Sequence, residues 1–343
     1  MAQIEFRPAQ RRNLGLVFGF MGYTGSGKSL SGLKFSRGLA ARPGEDLKDP
    51  ATLAKVDARI RALDTENGRL LMYAPAPGQK LGPSIFGFQH GEMRAPFSPQ
   101  AYLDAINFTA IDCAVYMIDS FSHEWTGEGG QHDMQTAALE KMMQKNPNLS
   151  EESVSSLAWK KPKMDHRRLV SRLTQLGCHV VICLRAEEKL LVEKDPATKK
   201  VKFTAPADLP IEKRYTPECD RKFPYELTLS LLLTPEKPGF PIPLKLQEQH
   251  KEFIPRDRPI SEESGRAIAD WARGGVAVVE QRPPADPMPA GWNSWTLEER
   301  GINRASKGTQ ALRDWYKHLT PAERESIQSK LPELIESANK VEP

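Results

Sequence analysis

Residues 22–29 read Gly22-Tyr23-Thr24-Gly25-Ser26-Gly27-Lys28-Ser29, a complete G-x-x-x-x-G-K-[ST] pattern. Each type in it suits the capture of a polyphosphate. Glycines let successive backbone N–H groups converge on phosphate oxygens without Cβ clashes. A helix starting directly after the loop turns its positive end to the same anion. Lys28 is placed to reach β- and γ-phosphates, and the Ser29 hydroxyl to ligate Mg²⁺. The pattern therefore predicts an ATP and Mg²⁺ site made by Gly22 through Ser29.

The metal needs a second handle, and Asp119, closing the apolar run CAVYMID, is the candidate. Many ATPases place the water-activating Glu directly after that Asp, but Ser120 stands there. The D-x-x-G and N-K-x-D signatures of GTP-binding proteins are absent. The activating carboxylate must then come from another strand tip. Glu66, in LDTEN, is placed to polarise a water, with Asp64 on the same side of an extended strand to orient it. Glu124, five residues past Asp119, is the reserve candidate.

Apolar runs that read as strands position these groups. LGLVFGFM (14–21), RIRALDTEN (59–67), CAVYMIDS (113–120) and HVVICLRA (179–186) each end in polar residues. Helical patterns follow the glycine loop, begin at Ser98-Pro99, and recur around 151–177. Alternating strands and helices predict an α/β fold, a mainly parallel sheet flanked by helices. Past residue 187 come β-hairpin additions: a hairpin turning at DPATKK, then the strand-like PYELTLSLLLT and PIPLKLQ. ISEESGRAIADWARGG reads as a helix stopped by Gly274 and Gly275. The expected organisation is a core over 1–275, a proline-rich linker over 276–291, and a small helical module over 292–343. Two T-x-x-E capping boxes, Thr296 with Glu299 and Thr320 with Glu323, mark that module.

Composition narrows the class. The 343 residues are 39% hydrophobic and 27% charged, with a net charge of +4 that is too small to name a partner. Four cysteines without CxxC spacing read as free thiols in a reducing compartment. No signal-peptide core or membrane-length apolar run occurs, which predicts a cytoplasmic chain with no membrane partner.

Four segments, GYTGSGKS, LDTENGR, VYMIDSFSHEWTGEGG and VICLRAEEK, together resemble RecA-type P-loop ATPases. The likeness is strongest to phage-encoded ATP-binding proteins of that superfamily associated with recombination and replication. It spans about residues 12–275. The resemblance implies a RecA-like core in which the strand before LRAEEK lies between the loop strand and the Asp119 strand. It also implies a homo-oligomer, ring or filament, acting in the host cytoplasm. Many RecA-type proteins carry a polar amide where this chain has Arg185, which suggests a cation that senses the γ-phosphate or stabilises transition-state charge. A surface salt bridge is the alternative role.

The partner is less legible. WKKPKMDHRRLVSR (159–172) sets Lys160, Lys161, Lys163, Arg167 and Arg168 near a tryptophan, and Lys199 and Lys200 lie at the hairpin turn. Such groups could track a single-stranded DNA backbone and stack a base, or form a solvated face or a subunit contact. TGEGGQHDMQ matches no zinc spacing and reads as a glycine-hinged mobile loop. Two functions stay open: a DNA-stimulated ATPase, or a slow nucleotide-driven switch with a protein partner held by the C-terminal module. A small-molecule kinase is a weaker third.

Overall fold

The computed structural model describes residues 8–9, 12–13, 15–194, 201–274, 276–277, 288–289 and 291–341. Lys199, Lys200, the DPATKK turn, Gly275 and most of the proline-rich stretch lie outside the described residues. In chain order the strands are β1 (Arg12–Asn13), β2 (Val17–Gly22), β3 (Ile60–Asp64), β4 (Gln89–Glu92), β5 (Val115–Asp119) and β6 (His179–Glu188). They continue with β7 (Leu191–Lys194), β8 (Val201–Thr204), β9 (Tyr215–Pro217), β10 (Leu229–Thr234), β11 (Lys237–Lys245) and β12 (Val276–Ala277). The helices of this part are α1 (Lys28–Ala40), α2 (Pro50–Asp57), α3 (Pro99–Thr109), α4 (His123–Thr126), α5 (Gln131–Lys145) and α6 (Glu151–Ala158). They are followed by α7 (Lys160–Thr174), α8 (Ile211–Arg214), α9 (Phe223–Glu226) and α10 (Glu262–Arg273).

The result is an α/β fold around an eight-stranded, mostly parallel sheet in the order β11-β10-β2-β6-β5-β3-β4, with β9 pairing on β6. Pairing is parallel from β10 to β4, and antiparallel only where β11 and β9 join. β6 lies between β2 and β5, as the resemblance implies. Both faces of the central strands are buried, which explains why they read as continuous apolar runs. On β5, Val115 and Met117 join the core cluster with α1 and α10, while Tyr116 and Ile118 bury the opposite face.

Two devices fix the helices against this sheet. α1 and α10 meet backbone to backbone at glycines: a Cβ on Gly38 would collide with the Glu262 carbonyl, and one on Gly265 with the Phe35 carbonyl. Nearby, Arg37 is fully buried and binds both Asp57 oxygens at 2.8 and 2.7 Å and the Gly82 and Ile85 carbonyls at 2.7 Å. Phe86 lies 3.9 Å beneath its guanidinium. With its donors so occupied, the buried charge is tolerable; losing Asp57 alone would strand it, at a cost of about 3–5 kcal/mol.

Several local expectations change. TGEGGQHDMQ is short helix α4, a glycine turn and the start of α5, with Glu124 and Gln131 buried. The strand expected from PYELTLSLLLT starts only at Leu229, because Phe223–Glu226 forms a helical turn. β7 and β8 pair as an antiparallel hairpin.

Contacts divide the chain into two units, 1–102 with 112–278, and 103–111 with 279–343. The second contains α11 (Leu297–Ala305), α12 (Thr309–Lys317), α13 (Pro321–Ile327) and α14 (Leu331–Asn339). Both capping boxes form. Its core joins Leu312, Trp315, Tyr316, Ile327 and Leu334 to Phe108 and Ile111, residues that sequence reading placed in the first unit.

Alanine for glycine inside a helix normally stabilises by about 1 kcal/mol. Gly265→Ala should do the reverse and lower the unfolding free energy by about 1–3 kcal/mol, because the new methyl must push α10 off α1. Gly177, with open space where its Cβ would lie, serves as the control; denaturant titration of both alanine variants checks the contrast.

Candidate functional site

The parallel register brings the chemically marked residues to one edge. Gly22 pairs with Arg185, Asp119 with Cys183, and Asp64 with Asp119, at the carboxyl ends of β2, β5 and β3, beyond which β6 runs on to Glu188. Open α/β sheets bind ligands at that edge.

Gly22 to Ser29 leave β2 and enter α1 through a loop in which Gly25 and Gly27 both have φ of +78°. A side chain is strained there, so the two glycines are a backbone requirement. The loop is held from outside: the Gly239 amide donates to the Ser26 carbonyl at 2.9 Å, and a Cβ on Gly27 would come within 3.1 Å of that amide nitrogen. Tyr23 and Thr24 are exposed, and Tyr23 leans on Tyr215 at 6.1 Å. Ser26 is buried, and among the described residues its hydroxyl has no hydrogen-bond partner. Lys28 and Ser29 open α1, half-buried.

Asp119 is buried, and among the described residues its Oδ1 has no hydrogen-bond partner. Burial pushes its carboxyl up to about 6; Lys28 and the Ser29 hydroxyl oppose the rise, and Glu66 and Asp64 add to it. A buried carboxylate left unsatisfied beside a lysine and a serine is costly unless a cation completes it. The donor set, a serine hydroxyl and a carboxylate with water and phosphate oxygens to follow, suits Mg²⁺. Among the described residues no cluster of three or more His, Cys, Asp or Glu forms a metal cage.

Around Asp119 a hydrogen-bond net ties the strand tips together. The Thr65 amide donates to the Asp119 carbonyl at 2.9 Å, and the Thr65 hydroxyl donates to the Ser120 carbonyl at 2.8 Å. Tyr102 donates to the same carbonyl, and the Phe121 amide to the Cys183 carbonyl. The Asp119–Ser120 peptide is cis. None of this has a local signal in the sequence, since each partner is distant along the chain.

Glu66 lies past the end of β3, so Asp64 does not orient it by strand alternation. Instead the Asp64 carboxylate accepts the Glu66 and Leu70 amides at 2.7 and 2.8 Å, and shapes the loop itself. The Glu66 side chain meets Arg185, whose Nε and Nη2 donate to Oε1 at 2.9 and 2.8 Å, while Arg69 donates to Oε2 at 2.9 Å. Burial pushes the Glu66 carboxyl up, but the Arg185 hydrogen bond and charge, with Arg69 and Lys28, outweigh it and hold the group below the usual range. Glu66 is therefore ionised at neutral pH, and Arg185 is both near the loop and in an ion pair. With the Arg185 side chain 43% exposed, that pair is worth about 1 kcal/mol or less. It is weak enough for a stronger anion to displace.

Glu124 is turned elsewhere. It is buried, accepts Gln131 Nε2 at 3.0 Å on both oxygens, and lies 3.1 Å from His166 Nδ1. The cations of 159–172 gather on α7: Lys160, Lys161, Lys163, Arg167 and Arg168 are exposed, while Pro162, Asp165, His166, Leu169, Val170 and Leu173 form the buried face. Lys161 pairs with Asp165 at 3.0 Å.

No protein-family model matches the chain, and no curated protein matches it either.

Folding raises the Asp119 pKa from 3.8 to about 6, so its ionisation opposes folding of the nucleotide-free protein. The penalty is absent near pH 4, grows through pH 6, and approaches about 3 kcal/mol above it. Asp119→Asn should thus be more stable than the parent at pH 8 by up to that amount and equal to it at pH 4. Urea unfolding at the two pH values reads the difference; a variant less stable at pH 8 would contradict the buried, unpaired carboxylate.

Proposed function

We propose that this chain is a Mg²⁺-dependent ATPase with a RecA-like core, acting on single-stranded DNA as a homo-oligomer. One observation carries the proposal: the glycine loop, a buried carboxylate with an orphaned oxygen, and a paired Glu66–Arg185 converge at the carboxyl edge of a parallel sheet. Lys28 and the loop amides bind the phosphates, aided by the N-terminus of α1. Ser29 and Asp119 would hold Mg²⁺, which supplies charge neutralisation on the phosphate oxygens. Glu66, ionised, accepts a proton from the attacking water and aims it. Arg185 exchanges Glu66 for the γ-phosphate, which frees the carboxylate for that task. The basic face of α7 supports nucleic acid as the polymer. Among the described residues no helix is long and apolar enough to cross a membrane.

A slow nucleotide switch with a protein partner is the second reading, and the Glu66–Arg185 pair favours it, since the base is occupied in the resting chain. ATP hydrolysis with and without single-stranded DNA separates the two. A DNA-dependent ATPase requires turnover to rise several-fold with DNA. Lys28→Ala should abolish nucleotide binding, and Glu66→Gln should leave binding intact while cutting turnover by about 10²–10⁴. Slow turnover indifferent to DNA, with binding still lost in Lys28→Ala, would establish the switch instead.

A further inference from the structure

On the far side of the loop after β5 lies an open cleft of about 920 Å³ between α7, Trp125 and the turn 220–226. Lys163 and Arg167 line it from α7, and Arg221 and Lys222 from the turn; all four are exposed. Among the described residues none of the four forms an ion pair. Lys163 instead sits 5.6 Å over the Trp159 ring. Two acids, Asp220 and Glu226, also line the cleft, but Asp220 is turned to the Lys222 amide at 2.8 Å. Four cations against two carboxylates leave the cleft net positive, which favours an anion in it.

The floor of the cleft is built. His166 lines it, 6% exposed, and its Nδ1 is 3.1 Å from the buried Glu124 carboxylate, which Gln131 also holds. With Nδ1 engaged, Nε2 is the ring nitrogen left for a ligand. At one end Trp125 stacks on Trp159 with centroids 5.4 Å apart and planes at 20°, and His132 packs edge-on against both. These contacts hold Trp125, which lines the cleft, as an indole beside the cations. From Lys160 to Arg168, exposed charge runs along α7 for about 12 Å, a span that includes the cleft-lining Lys163 and Arg167.

We propose that this cleft seats the backbone of a single-stranded nucleic acid, with Lys163, Arg167, Arg221 and Lys222 on successive phosphates and a base against the Trp125–Trp159 pair. The assignment rests on the DNA-acting reading above and gives it a surface. An extended polyanion with flat bases fits the combination of free cations and paired indoles better than an acidic protein, which has no use for a stacking platform.

Fluorescence anisotropy of a labelled oligo-dT with the full chain tests it, across a salt series and with ATP present. Arg167→Ala/Arg221→Ala removes two exposed cations that form no ion pair among the described residues, and circular dichroism should show the fold unchanged. Its affinity should fall at least tenfold, and the slope of log K against log salt should fall in magnitude by about 1.4, the value for two lost phosphate contacts on a single strand. Trp125→Phe should weaken binding several-fold with the slope unchanged, which a merely electrostatic surface would not do. Lys251→Ala, whose cation pairs with Glu248 away from the cleft, should change neither quantity. If the parent binds and the double variant binds equally, the cleft is wrong while the DNA-acting reading stands. If the parent fails to bind oligo-dT even at low salt, both fall.

Discussion

The insertion of β6 between β2 and β5 is the constraint on which the remaining geometry depends. Parallel pairing in that order sets Gly22 beside Arg185 and Cys183 beside Asp119, and β3 on the far side of β5 sets Asp64 beside Asp119. Neighbouring strands are about 4.8 Å apart, so the glycine loop, Arg185, Asp119 and the loop bearing Glu66 fall within about 15 Å along one edge. A one-residue slip of β6 would turn Arg185 into the sheet face and bring Leu184 or Ala186 to the loop. β6 is held in register from both sides, by β2 from Val180 to Arg185 and by β5 from His179 to Cys183.

Such an edge is expensive to hold, because it buries polar groups that its own contacts satisfy only in part. Asp119 is buried with one oxygen unpaired, and the Ser26 hydroxyl is likewise orphaned. Stability must come from elsewhere in the same unit. The close α1–α10 glycine contact and the fully bonded Arg37 behind it provide a rigid mount for α1, whose first turn presents Lys28 and Ser29. The strain is local and the support is remote, the usual division at a binding edge.

Much of this mount was invisible in the sequence, while the site it carries was plain. The loop, the strands bearing Asp119 and Arg185, and both T-x-x-E boxes have local signatures: glycine spacing, apolar runs, capping pairs. Arg37–Asp57 and Glu124–His166 span 20 and 42 residues and have none. Gly265 carries no local sign of its role in the helical pattern of α10, although a backbone 230 residues earlier requires it. The glycines of TGEGGQHDMQ suggested a mobile loop, yet they only turn the chain between α4 and α5, because the buried Glu124–Gln131 bond outweighs their flexibility. Phe108 and Ile111 likewise belong by contact to the C-terminal unit, which no local pattern announces.

The stretch after β5 carries the last link. Within seven residues Asp119 lies at the sheet edge, the Ser122 hydroxyl accepts the Arg185 amide at 2.9 Å, Glu124 holds His166, and Trp125 borders the cleft. Arg185 in turn holds Glu66. The residues proposed to bind nucleotide and those proposed to bind a nucleic-acid strand therefore share one short segment, braced by the Thr65–Ser120 and Phe121–Cys183 hydrogen bonds. If a ligand at one end of this segment changes affinity at the other, the second ligand must change the affinity of the first by the same factor, since coupling between sites is reciprocal. A strand in the cleft and a γ-phosphate competing for Arg185 would then act on the same few bonds. The weakness of the Glu66–Arg185 pair is what makes such a shift accessible: a buried, fully satisfied pair like Arg37–Asp57 in that position would hold Glu66 against either ligand.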